Sequence, residues 1–267
     1  MDFRAAFGFH SMPYTREIPL EHHFQPSFYD EALQALRETV EERQSAALIA
    51  PAGTGKSQLL RALIGLLPEA RYRVHYVKVT GLSKRDMCRE IARAMGLPPA
   101  GTYPSLVDKV QARFAHTLDT EALRPLLILD EAHELRPDVL GMLRIITNFD
   151  VDSRLVLSVI VAGQTPLAEL LRKGELEAVA RRMAHYATLR TLSREETLDY
   201  IGHRCTIAGA VTIPFDDHAL DAIFEIGGGN LRATDRLALK SLKVAHGKGT
   251  TVVSSVHVVD ARRMLWP

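Results

Sequence analysis

Lys56 and Ser57 close the stretch IAPAGTGKS, residues 49–57, directly behind Gly53 and Gly55 and ahead of the helical pattern QLLRAL. The stretch fits the phosphate-loop pattern Gly-x-x-x-x-Gly-Lys-[Ser/Thr], except that Ala50 stands where its first glycine belongs. Backbone N–H groups of such a loop point inward at phosphate oxygens, and the following helix adds the positive end of its dipole. Pro51, Ala52, Gly53, Thr54, Gly55, Lys56, Ser57 and Gln58 are therefore the candidates for holding a nucleotide. Lys56 would reach the β- and γ-phosphates, and the Ser57 hydroxyl would ligate Mg²⁺. The bland alternative is a glycine turn before a helix.

A second constellation is LLILDEAH, residues 126–133, an apolar run ending in two carboxylates. Asp130 is suited to hold the Mg²⁺ water shell, and Glu131 to orient and polarise an attacking water. Alone, Asp-Glu could equally cap a helix. Behind a phosphate loop, at a spacing that permits an adjacent parallel strand, chemistry is the better reading. Gln164 or Thr165 would project from the end of the next apolar run, beside the acidic one. Arg181 and Arg182 precede the run YATLR, where a planar guanidinium could neutralise a transferring phosphate; adjacent arginines are also common on a solvated helix face. Arg232 begins the pattern LRATDRLALKSL and could reach a nucleotide from there.

These residues need elements to position them. Short β-like runs fall at 46–50, 73–79, 126–130, 155–161 and 186–190, and helical patterns at 29–44, 56–67, 83–95, 104–118 and 138–148. Strands alternating with helices predict an α/β fold with a parallel sheet covered on both faces. After Thr191 only helical patterns follow. They open with a Ser193–Glu196 capping box and carry stop signals at Gly209 and Gly227. The expected organisation is an arm and helix over 1–45, a nucleotide-binding domain over 46–190 and a helical lid over 191–267.

Composition agrees with a globular protein of 267 residues, 46% hydrophobic and 24% charged. A net charge of +1 means that any nucleic-acid binding must come from local patches. Cys88 and Cys205 are too far apart in sequence for a CxxC motif, and the first residues lack a signal-peptide core. The apolar runs are too short to span a bilayer, so a cytoplasmic location without membrane attachment is expected. His22 and His23 read as loop residues, and Cys88 as core packing. The single tryptophan, Trp266, could pack on the lid or meet a partner.

The order of these features resembles the AAA+ ATPases over residues 8–262: phosphate loop, Asp-Glu strand, polar residue after the next strand, arginine before the last, and arginine in a helical lid. FGFHSMPYTREIP, RRMAHYATLRTLSREETLDYIGHRCTIAG and GGGNLRATDRLALKSLKVA are similar to the ExeA-type group and its TnsC, IstB and MuB transposition-helper relatives. The resemblance implies ATP and Mg²⁺ as cofactors. It makes Asp130 and Glu131 the Walker B pair, Gln164 sensor 1, Arg182 the arginine finger with Arg181 in reserve, and Arg232 sensor 2. Ala50 departs from the family pattern, as does Gln164, where Asn or Thr is commoner. The resemblance also implies a homo-oligomer, ring or filament, because the finger enters a neighbour's site.

Two functions follow. One is a transposition helper that binds double-stranded DNA and recruits or stimulates a DDE-type transposase. The other is an ExeA-like ATPase energising secretion-system assembly. The resemblance leads one to expect a membrane segment and a wall-binding domain in the second case, and their absence before Pro267 favours the first. A slow nucleotide switch is a third reading, against which the Asp130–Glu131 pair argues. For DNA the candidates are Lys84, Arg85, Arg89 and Arg93 on the helix predicted over 83–95. Asp86 and Glu90 lie on the adjacent stripe, so a solvated face of internal ion pairs is the competing reading.

Overall fold

A computed structural model describes residues 2–15 and 17–265; Trp266 lies outside them. The chain divides into two compact units, one holding residues 28–189 and the other the described residues of 1–27 and 190–267. The expected separate segment 1–45 is split between them. Its aromatic residues Phe7, Phe9 and Tyr14 fill the core of the helical unit. The helix Ser27–Glu41 instead buries Leu33, Leu36 and Val40 among the residues of the sheet.

The larger unit is a parallel five-stranded sheet. Its strands are β1 (Ser45–Ile49), β2 (Tyr72–Lys78), β3 (Arg124–Asp130), β4 (Ser158–Gly163) and β5 (Met183–Thr188), in the spatial order β2-β3-β4-β1-β5. Alternation along each strand sends side chains to opposite faces. Leu126, Ile128 and Ile160 join the Ser27–Glu41 and Lys56–Leu66 helices on one face. Leu127, Leu129, Val159 and Val161 join the Lys84–Ala94 and Tyr103–Asp119 helices on the other. Cys88 is fully buried in this second layer.

Several boundaries differ from expectation. The last strand, expected over 186–190, runs instead from Met183 to Thr188, and the helix expected over 29–44 spans Ser27–Glu41. The helix predicted over 138–148 is two short turns, Pro137–Leu140 and Leu143–Ile146, separated at Gly141 and Met142. The strand expected from residue 155 starts at Ser158, after a loop in which Asp150, Val151 and Asp152 all take positive φ. Apolar content marked Leu155 as strand, yet its side chain is exposed.

The smaller unit is a bundle of helices Arg194–Ile207, Asp217–Gly227, Leu231–Gly247 and Ser255–Leu265. The capping box is complete: Glu196 N–H donates to Ser193 Oγ at 3.2 Å and Ser193 N–H to Glu196 Oε2 at 2.8 Å. The described residues contain no helix long and apolar enough to cross a membrane.

Candidate functional site

The loop between β1 and the Lys56–Leu66 helix turns through Gly53 at φ 81° and Gly55 at φ 98°. Both angles lie in the left-handed region that glycine enters without a Cβ penalty. Thr54 Oγ1 donates to Pro51 O at 2.8 Å and pins the turn. Gly55 is the N-cap and brings no side chain to the first turn, which leaves the helix start open to an anion. Ala50 is fully buried and donates its N–H to Gly163 O at 3.0 Å, so its methyl lies in the core and leaves the loop mouth clear.

The Lys56 ammonium group, itself buried, lies between the two acidic residues of β3's end. It forms an ion pair with Asp130 Oδ1 and a second with Glu131 Oε1 at 3.0 Å. The spacing of the two motifs had permitted neighbouring strands, but β4 intervenes between β1 and β3. Lys56 has four methylenes, and that reach lets it meet carboxylates one strand further away. Asp130 is nearly sealed from solvent, whereas the Glu131 side chain is 25% exposed. Glu131 takes φ 61°, a left-handed conformation that costs a residue with a Cβ of order 1–3 kcal/mol. Of the two carboxylates, Glu131 is thus both the strained one and the one more open to water.

Two residues that sequence reasoning missed complete the cluster. Tyr76, on β2, donates its hydroxyl to Asp130 Oδ2 at 2.7 Å. Burial and this hydrogen bond hold the phenol's pKa well above its ordinary value, so it stays a donor. His133, the last residue of LLILDEAH, accepts the Gln164 N–H at Nδ1, 3.3 Å away, and lies 3.6 Å from Glu131 Oε2. It thus ties the start of the Gln164 segment to the carboxylate region. A Cβ on Gly163 would come within 3.1 Å of His133 N, so glycine permits this approach.

Gln164 directly follows β4, which does pair with β3. Arg182 donates to Asp152 Oδ2 at 2.6 Å, and Arg181 pairs with Glu177 one turn back. Arg232 is exposed at the start of the Leu231–Gly247 helix. The basic helix face has the arrangement of the competing reading. Arg89 pairs with Asp86 at 3.2 Å and Arg93 with Glu90, Lys84 lies 3.7 Å from Asp138, and Arg85 Nε donates to Gly101 O.

The donor set suits a nucleotide with a hard divalent cation: a glycine cradle, a buried ammonium, one hydroxyl and one carboxylate. The AAA domain family matches residues 37–171, just over half of the chain. The chain belongs to that family and is an AAA+ ATPase, with the P-loop α/β fold. General secretion pathway protein A of Aeromonas hydrophila is 27% identical over 248 residues, which cover 91% of this chain and 45% of that protein. The chain thus spans under half the length of that relative. Among solved structures, Cdc6p of Pyrobaculum aerophilum matches with TM-score 0.72 and 18% identity, over 94% of this chain and 70% of that one. The Aeropyrum pernix Orc1 protein, solved in complex with DNA, matches with TM-score 0.69 and 16% identity, over 96% and 70%. At such identities these likenesses concern the fold. The curated relative falls on the secretion side of the resemblance, against the preference for a transposition helper.

Proposed function

We propose that this chain is an ATP- and Mg²⁺-dependent AAA+ ATPase of the ExeA-like kind, whose hydrolysis energises secretion-system assembly. The observation that carries this reading is the match to General secretion pathway protein A over 91% of the chain, which takes in lid as well as phosphate loop.

The chemistry follows from the cluster. Lys56 exchanges its two carboxylate partners for β- and γ-phosphate oxygens, which frees Asp130 and Glu131. Ser57 and Asp130 would hold Mg²⁺, which when bound would neutralise charge on the phosphate oxygens. Glu131 then accepts a proton from water as the water oxygen bonds to the γ-phosphorus and the bond to the ADP oxygen breaks. Gln164 steadies that water by hydrogen bonding. Arg182 of a neighbouring copy, or Arg181 in its stead, meets the charge that develops.

The transposition-helper reading, with double-stranded DNA and a DDE-type transposase as partners, draws support from one observation: the fold is shared with a protein solved on DNA. The ion-paired face around Lys84 and Arg85 weakens it. One assay separates the two: Mg²⁺-dependent ATP turnover with and without duplex DNA, paired with fluorescence anisotropy over a salt series. We expect turnover that DNA leaves unchanged. Stimulation by DNA, with a steep salt slope that flattens when Lys84 and Arg85 are both replaced, would favour the helper. Glu131→Gln should bind ATP and barely turn it over in either case. Wild-type turnover in that variant would remove Glu131 from the role of base.

A further inference from the structure

β2 is the edge strand beside β3, and Lys78 on it stands in register with Asp130. Residues two apart on a strand share a face, so Tyr76 lies diagonally across from Asp130, within reach of an aromatic side chain. The two oxygens of Asp130 have separate partners. Oδ1 accepts the Glu131 N–H at 2.8 Å and the Lys56 ammonium, while Oδ2 accepts the Tyr76 hydroxyl at 2.7 Å. When Lys56 turns to phosphate, Oδ1 keeps one backbone donor, and without Tyr76 the carboxylate would be free to swing about its broad last torsion. Tyr76 is 43% exposed, so core packing does not explain an aromatic here.

We propose that Tyr76 is a positioning residue for the metal-bound nucleotide: it anchors Asp130 through Oδ2, so that Oδ1 keeps its direction after Lys56 has left it. The proposal rests on the reading of Asp130 as the carboxylate on the metal side of the site. An anchored carboxylate needs no reorganisation when the cation arrives, and partners behind a metal-side group commonly change metal affinity by roughly tenfold or more when lost. Tyr76 belongs to β2, outside both motifs that identified the site, so nothing in the loop or the Asp-Glu pair discloses it.

The test is Tyr76→Phe, which removes one hydroxyl and keeps the ring. Binding of a fluorescent ATP analogue is measured in EDTA and across a Mg²⁺ titration, with the Mg²⁺ dependence of turnover alongside. The expected result is unchanged affinity in EDTA and loss of most of the gain in affinity that Mg²⁺ gives the wild type. Half-saturating Mg²⁺ should rise by roughly tenfold, and turnover at saturating Mg²⁺ should fall much less. A merely structural role would lower affinity equally with and without Mg²⁺, and that result overturns the proposal. So does a wild-type Mg²⁺ dependence. Asp130→Asn separates the two levels. If it loses the Mg²⁺ gain while Tyr76→Phe keeps it, only the role of Tyr76 falls. If both variants keep the gain, the metal-side reading of Asp130 falls as well.

Discussion

Lys56 carries one positive charge between two carboxylates at the end of the sheet, and only Glu131 of the three has appreciable access to water. Such a cluster tolerates the exchange of one anion for another and tolerates the loss of its cation poorly. Removing one partner of a buried pair typically costs ~3 kcal/mol or more, because the remaining charge is stranded. Lys56→Met should therefore abolish nucleotide binding and also lower the stability of the nucleotide-free protein by about 2–3 kcal/mol, Glu131's access to water moderating the loss. Adding Asp130→Asn to Lys56→Met should recover part of that stability without recovering binding. Urea unfolding of the single and double variants measures both effects, and equal stabilities for the two would mean that Asp130 does not need the lysine.

Elements supply what the residues cannot arrange for themselves. The lid's entry is an instance: Leu192 N–H donates to Gly229 O at 2.9 Å, which stitches the start of the unit to the turn before the Leu231–Gly247 helix. Gly228 and Gly229 both have positive φ, 58° and 69°. They differ in what surrounds them. A Cβ on Gly228 would meet nothing within 4 Å, while one on Gly229 would fall 2.0 Å from Leu192 O. Gly228→Ala should cost only the left-handed penalty, about 1 kcal/mol. Gly229→Ala must displace backbone and break the stitch, so its cost should exceed that by at least about 2 kcal/mol. Thermal unfolding of the two variants side by side decides the matter; similar midpoints would show that the stitch contributes little.

At the scale of the whole molecule, turnover depends on an arginine from another copy if Arg182 is the finger. Within one chain Arg182 is held by Asp152, whose carboxyl it keeps below the usual aspartate range. Asp152 ends the run of three left-handed residues whose middle member, Val151, is almost wholly exposed. Arg182→Ala should bind nucleotide and lose most turnover, roughly 10³-fold by the usual worth of such a residue. Lys56→Ala fails for a different reason, since it cannot hold nucleotide. Mixing the two should restore part of the activity, because one copy supplies the finger and the other the loop. A mixture no more active than its parts would place the stimulating charge within the chain.

The amino-acid sequence by itself determined most of what depends on near neighbours along the chain, the broken helix at 137–146 and the late start of β4 excepted. The glycine positions of the phosphate loop, the Asp-Glu strand end, the five β-like runs and the four lid helices with their capping box are patterns of adjacent residues. Local backbone preference and burial periodicity act over a few positions, so such patterns are legible without a fold. Meetings between distant segments were decided by the tertiary structure alone. The insertion of β4 between β1 and β3 and the seating of Lys56 between two carboxylates follow from strand order, and the capture of Arg182 by Asp152 from the path of the loop before β4. The hydroxyl of Tyr76 on Asp130 follows from register, since one residue of slip in β2 would turn that ring to the opposite face. The first residues show no period that would reveal a burial face, so only the fold shows Phe7, Phe9 and Tyr14 in the core of the helical unit.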